Sequence, residues 1–155
     1  MDLNIIDYAR KSFNLLLGER TAERIKINVG SAFTSEEHDS LETVMRGRDL
    51  ASGLPREIPV SAAEIREALE PAVSHIVRVI KDAVEETPPE LLADIMKTGI
   101  VLAGGASQLR GMDQRIARAT EITTAVAEDP MTCVVRGAGK VLEELDLLKR
   151  VEVGT

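Results

Sequence analysis

The chain has 155 residues and a formal net charge of −7, with 26 acidic against 19 basic residues, so its overall field repels nucleic-acid backbones. Aromatic residues make up 2% and tryptophan is absent, which leaves an aliphatic core for one domain or two small lobes and excludes a base-stacking platform. The single cysteine, Cys133, excludes an internal disulfide or a cysteine metal cluster, reads as a small buried hydrophobe and fits a reducing compartment.

In chain order, Leu3, Ile6, Tyr8, Phe13 and Leu15 to Leu17 are spaced for a helix that ends at Gly18, a residue suited to a left-handed cap. A second helix follows in ERTAERIKINV, where Ala22, Ile25 and Val29 recur at three and four and leave Glu23 and Lys26 as neighbours on another face. SAFTSEEHDS is polar and loop-like. LETVMRGRDL and LPREIPVS read as two strands joined through ASG, with Leu41, Thr43 and Met45, and Ile58 and Val60, alternating on one side. Ser61 and Glu64 form a capping box before a long helical pattern from Ile65 to Val84, which Pro71 is expected to break or kink near 69–71. TPPELLADIM starts another helix with its prolines in the first turn. The apolar run Ile100 to Leu102 then reads as a strand, followed by two glycines and a helix from about 107 to 119. TTAVAED repeats the strand, and MTCVVRGAGKVLEELDLLKR closes the chain as a helix.

Strand, helix, strand, helix implies two parallel strands, and parallel sheets are normally wider and covered on both faces, so this half reads as part of a larger sheet. Arg78 and Lys81 interrupt the best apolar stretch, around 72–84, well short of the roughly 18 residues of a membrane span. The N-terminus MDLNIIDYARK lacks the apolar core of a signal peptide, and the chain reads as cytoplasmic. His38, in a polar run, and His75, on a helix, stand too far apart in character and position to suggest a metal site.

Three places could carry chemistry. Gly104 and Gly105 stand between a strand's C-terminal end and a helix start, the edge where open α/β sheets gather ligands. They match neither a dinucleotide fingerprint nor a P-loop, and the spacing alone fits a structural turn as well as a ligand edge. Glu23 and Lys26 could clasp a ribose and lie over a base, yet an exposed pair three apart is equally a solvated ion pair contributing about 0.2 to 0.5 kcal/mol. Asp129, in AEDP, is conceivable as a catalytic carboxylate, but reads better as a cap just before Pro130 at the start of the last helix. No set of acid, base and nucleophile is visible.

Four strings, "LLLGERTAERIKINVGSAF", "GLPREIPVSAAEIREAL", "TPPELLADIMKTGIVLAGGASQLRGMD" and "AEDPMTCVVRGAGKVLEELDLLKR", appear in this order over nearly the whole chain. Together they resemble the C-terminal half of the MreB family, the rod shape-determining bacterial homologues of actin. The resemblance implies a partial actin-like ATPase (ribonuclease H-like) α/β fold: a small α+β upper lobe over residues 1–60 and, over 61–155, a lower lobe of two parallel strands and covering helices. It also implies that the sheet's first, antiparallel strands have no counterpart in this sequence. In the superfamily, adenine and ribose lie between a helix with an E-x-x-K pattern and the glycine turn. Carried over, these are Glu23, Lys26, Gly104 and Gly105, with Gln108 and Leu109 bordering the base. Relatives often read GGGA where this chain has GGAS, so Ala106 adds a methyl that stiffens the loop or tightens the pocket.

The same resemblance implies ATP or ADP with Mg as the family's ligand. The family's phosphate-gripping loops and water-orienting acid have no counterpart here, so weak or no binding and no ATPase activity are expected of this chain alone. It further implies head-to-tail self-association, with the lower lobe of one subunit meeting the upper lobe of the next in a non-closing contact. Full-length subunits and membrane-anchored cell-shape proteins are the other implied partners, with filaments lying under the inner membrane and no direct membrane or nucleic-acid contact by this chain. A module that binds or caps filaments without nucleotide is the alternative reading.

Overall fold

In the computed structural model, which describes residues 1–143, helix α1 (Asp2–Phe13) stops earlier than the apolar spacing predicts. Asn14 takes the left-handed conformation (φ 53°, ψ 35°), and its amide closes onto Ala9 O and Arg10 O. Asparagine tolerates this conformation better than most residues, so the helix ends at Phe13, five residues before Gly18. Leu15–Leu16 form strand β1, and Leu15 and Leu17 are buried while Leu16 is exposed, the two-residue period of a strand. Gly18 instead caps the start of α2 (Glu19–Val29), which buries Ala22, Ile25 and Val29 as the periodicity predicts. The polar segment after it contains one short helix, α3 (Glu36–Asp39).

Strands β2 (Glu42–Asp49) and β3 (Pro55–Ser61) pair antiparallel, and β1 adds to the far edge of β2 to give the order β1-β2-β3. The register sets Met45 opposite Ile58 and Thr43 opposite Val60; Met45, Ile58 and Val60 are buried, so the expected apolar face is the core face. The turn between them is held by the Asp49 carboxylate, which accepts from the amides of Ala51 (3.0 Å) and Ser52 (2.8 Å) and from Arg56 Nη1 (2.8 Å). These donors hold its carboxyl down at about 2.

Helix α4 (Ala62–Glu85) begins with the expected capping box: Ser61 Oγ accepts from the Glu64 amide and the Glu64 carboxylate accepts from the Ser61 amide (2.8 Å). It then runs unbroken through Pro71, against the expected break. An interior proline costs about 3 kcal/mol. Ile65, Leu69 and Val73 on either side are almost fully buried, each contributing about 1.5–3 kcal/mol, which outweighs the missing bond.

Beyond α5 (Pro89–Thr98), strands β4 (Ile100–Leu102) and β5 (Thr124–Val126) pair in parallel, Val101 opposite Ala125. Between them the helix expected from residue 107 starts later. Gly105–Gln108 form a single 3-10 turn, Leu109 is extended, Gly111 is left-handed, and α6 covers Met112–Thr120. Leu109 to Gly111 leave helical geometry because Arg110 pairs bridge-fashion with Ser31, across the molecule. Helix α7 (Cys133–Glu143) starts after a turn that contains Pro130, Met131 and Thr132; the rest of the helix expected up to residue 150 lies outside the described residues.

One hydrophobic cluster runs from Ile5 through Met45, Ile65 and Leu69 to Met112 and Ile116, spanning the β3–α4 junction where the two-lobe boundary was expected. Ile100 and Leu102 pack against it from one face of the small sheet, while Val101 on the other face is 68% exposed and α5 and α7 bury no residue. Among the described residues no helix is long and apolar enough to cross a membrane.

Candidate functional site

Helix α2 packs on the core through Ala22, Ile25 and Val29, which turns Glu23, Lys26 and Ile27 away from it. Ile27 is 63% exposed, an apolar side chain with no core to serve. Lys26 Nζ lies 2.8 Å from Asp2 Oδ1 on α1, an ion pair at a buried oxygen that has no hydrogen-bond partner among the described residues. Facing this helix is the segment after β4. Gly104 adopts φ 86°, ψ 175°, a region open in practice to glycine alone, and its amide reaches Pro130 O at 2.7 Å. Ser107 closes the turn, its amide and hydroxyl both donating to Gly104 O (3.3 and 2.6 Å). The turn leaves Gln108 exposed and drives Leu109 into the core.

Arg110 joins the two walls. Its Nη1 donates to Ile27 O at 3.0 Å and Gly30 O at 3.5 Å, and its own carbonyl accepts from the Ala32 amide at 2.7 Å. Gly30 permits the close approach: a Cβ there would fall 2.3 Å from Lys26 O and 3.1 Å from Leu109 Cδ1.

The walls enclose a cleft of about 370 Å³. Of the residues singled out in the sequence, Lys26, Gly105, Gln108 and Leu109 line it together. Glu23 is exposed on α2 one turn before Ile27, and Gly104 shapes the turn without lining the cleft. Ala106, whose methyl was expected to stiffen the loop or tighten the pocket, lines it too, and Ile27, Gly30, Arg110 and Met1 line it without having been foreseen. An exposed isoleucine four residues after Glu23 was the one legible signal for Ile27; nothing local marks Arg110. Of the cleft's two basic side chains, Lys26 is paired with Asp2, while Arg110 gives one nitrogen to two carbonyls at the end of α2 and keeps its positive charge.

Asp129 lies elsewhere. It takes a positive φ of 52°, its carbonyl accepts the amides of Thr132 and Cys133, and its carboxylate holds Thr132 Oγ1 at 2.7 Å and Arg136 at 3.4 Å. It therefore builds the turn into α7, four residues before the first helical residue rather than as an adjacent cap. A second hollow, about 430 Å³, is polar and lies between α4 and α6. Its arginines are largely spent: Arg115 pairs with Glu70 at 2.6 Å, and Arg66 pairs with Asp39 and holds that carboxyl below the usual range.

The family model for the MreB/Mbl protein matches residues 1–150. The chain belongs to the MreB/Mbl family. The cell shape-determining protein Mbl of Bacillus subtilis is 44% identical over 149 residues, which cover 96% of this chain and 44% of that protein. The cell shape-determining protein MreB of Escherichia coli K12 is 46% identical over 146 residues, covering 94% of this chain and 42% of its own length. The chain thus spans less than half the length of these relatives. Among solved structures, MreB5 of Spiroplasma citri bound to ADP superimposes with a TM-score of 0.87 at 35% identity over 99% of this chain and 45% of that one. The MamK double helical filament matches with a TM-score of 0.71 at 21% identity, over 92% and 43%, a likeness of fold alone. The fold is a partial actin-like one.

Proposed function

We propose that this chain supplies the adenosine-holding side of the nucleotide cleft in an actin-like, ATP-binding filament protein that maintains bacterial cell shape. One observation supports this above the others: Lys26, Gly105, Gln108 and Leu109, distant in sequence, line one cleft between α2 and the glycine turn. Its volume falls in the roughly 300–1,000 Å³ range of small-molecule sites. With Lys26 paired to Asp2, one Arg110 nitrogen held by backbone carbonyls and Ile27 contributing apolar surface, the cleft suits the nucleoside end of a nucleotide. Glu23, exposed one turn before Ile27 and outside the cleft lining, would accept from ribose hydroxyls at the rim. Gly104 serves by shaping the turn. In a related protein, MreB5 of Spiroplasma citri, ADP is the bound ligand.

On the same reading, residues 1–60 form the upper lobe and 61–155 the lower lobe of the subunit. Subunits associate head to tail, the filaments lie in the cytoplasm under the inner membrane, and membrane-anchored cell-shape proteins are further partners. Phosphate and Mg are held by parts of such a subunit that this sequence does not match, so the chain alone turns over no ATP.

Titrating the chain with adenosine and, separately, ADP while recording amide NMR spectra tests the site. Millimolar adenosine is expected to shift the amides of Ile27, Gly30, Gly105 and Gln108, and ADP to bind no tighter. Shifts confined to other regions, an ADP affinity far above that of adenosine, or ATP turnover by the chain alone would each overturn the reading. Co-sedimentation with full-length MreB-like subunits tests assembly: incorporation into filaments is expected, and filament shortening would favour the capping module instead.

A further inference from the structure

The cleft has two walls with separate covalent origins, and one side chain fastens them. Helix α2 leaves its last carbonyls without partners inside the helix. One of them, Ile27 O, receives Arg110 Nη1 at 3.0 Å, and Gly30 O just past the helix end lies 3.5 Å from the same nitrogen. A cation at a helix C-terminus is also favoured by the helix dipole. Ile27, the residue whose carbonyl is held, points its own side chain into the cleft, and Arg110 stands two residues after Gln108 on the opposite wall. The backbone link from the Ala32 amide to Arg110 O (2.7 Å) and the Ser31–Arg110 bridge are independent of the side chain.

We propose that Arg110 is a positioning residue, a latch whose guanidinium fixes the spacing between α2 and the glycine turn and so keeps the cleft at the width of a nucleoside. This rests on the reading that the cleft takes adenosine. Arg110 acts through Nη1, which the two carbonyls hold, rather than through contact with the ligand. Without the side chain, the walls stay joined through backbone but their spacing becomes variable, and the binding-competent fraction falls. If one conformation in ten remains competent, the apparent dissociation constant rises about tenfold.

The test uses the unaltered chain and its Arg110→Ala, Arg110→Lys and Ile116→Val variants, with adenosine as the probe and amide NMR as the readout. Ile116 is buried on α6 and lines no part of the cleft, though it borders a small hollow with Ala106 and Ser107 behind the turn, so its variant lowers stability while leaving the Arg110 contacts in place. The expected result is about tenfold weaker adenosine binding in Arg110→Ala, substantial recovery in Arg110→Lys, which restores a donor and charge, and unchanged affinity in Ile116→Val. Native-state hydrogen exchange is expected to speed up at Gly30 and Ala32 in Arg110→Ala alone. Binding by Arg110→Ala equal to that of the unaltered chain overturns the latch and leaves the adenosine site standing. An equal loss in Ile116→Val overturns it too, by showing a general effect of stability. No cleft shifts in the unaltered chain overturn both.

Discussion

Replacing Gly30 with alanine puts a methyl carbon 2.3 Å from Lys26 O and 3.1 Å from Leu109 Cδ1, the first well inside the 3.0 Å that real Cβ atoms keep. The oxygen cannot swing aside, because it belongs to the last turn of α2 and accepts the Gly30 amide at 2.8 Å. Displacing it weakens that bond, at about 0.5–1.5 kcal/mol, and strains a packed junction, at about 1–3 kcal/mol. The lower backbone freedom of unfolded alanine returns about 0.4–1 kcal/mol. The net expectation is a loss of about 0.5–4 kcal/mol, hence a Tm lower by about 1–16 °C for a chain of this size. Gly139→Ala supplies the contrast: Gly139 lies inside α7 with nothing within 4 Å of its Cβ position, so the same change should stabilise by about 0.5–1 kcal/mol. Thermal melts followed by far-UV circular dichroism read both. A Gly30→Ala Tm within about 1 °C of the parent, or shifts of the same sign in both variants, would refute the reasoning that close approach fixes glycine at position 30.

Leu69→Ala, at a fully buried position of α4, should cost about 2–5 kcal/mol, read as a lower urea midpoint with an unchanged slope. Pro71→Ala restores an amide inside an unbroken helix on its exposed side and should stabilise by up to about 3 kcal/mol in the same titration. Asp49 has a folded pKa of about 2, below its unfolded value of about 3.9, so the stability it contributes is complete above about pH 4 and is lost as pH falls toward 2. The stability difference between the parent and Asp49→Asn should therefore shrink on acidification, measured by urea unfolding at about pH 6 and about pH 2.5. Native-state hydrogen exchange should be fastest in β4, α5 and α7, where Val101 is exposed and the two helices bury nothing, and slowest at Ile65, Leu69 and Ile116.

Local signals with a single solution were legible in the sequence. Ser61 and Glu64 announced their own cap, and the alternation at Met45, Ile58 and Val60 announced both the strands and the face they bury. Where the outcome depended on a distant partner, pattern alone pointed the wrong way. Leu15 to Leu17 continue a helical spacing, but Arg48 and Asp49 recruit Leu15–Leu16 as a strand and Asn14 makes the turn. The helix expected from residue 107 is displaced to Met112 by the Ser31–Arg110 pairing, which no spacing between residues 31 and 110 could reveal. Pro71 carried a valid local penalty that the burial of Leu69 and Val73 overrides. The site divides in the same way. Lys26 and Gly105 were candidates from their own setting and gained weight from resemblance to a family pattern, Gln108 and Leu109 came from that resemblance alone, and Gly30 and Arg110 line the cleft through tertiary contacts that no local pattern marks.

The two walls differ in how firmly they are held, and this bears on what the cleft can do. Helix α2 is fixed by three buried side chains in the dense half of the molecule, among α1, α4 and the three-stranded sheet. The glycine turn has one foot on each side: Leu109 and Met112 anchor it in that same core, while Gly104 hangs from Pro130 O beside the exposed two-stranded sheet. Displacement of β4 and β5 is therefore expected to move Gly104 and Gly105 more than Leu109, with Ser107, bonded to Gly104 O within the turn, at the junction. A base resting against Gln108 and Leu109 meets the steady part of this wall. A ribose or phosphate near Gly105 meets the part whose position follows the small sheet, so a ligand that spans the two would couple the order of that sheet to its own binding.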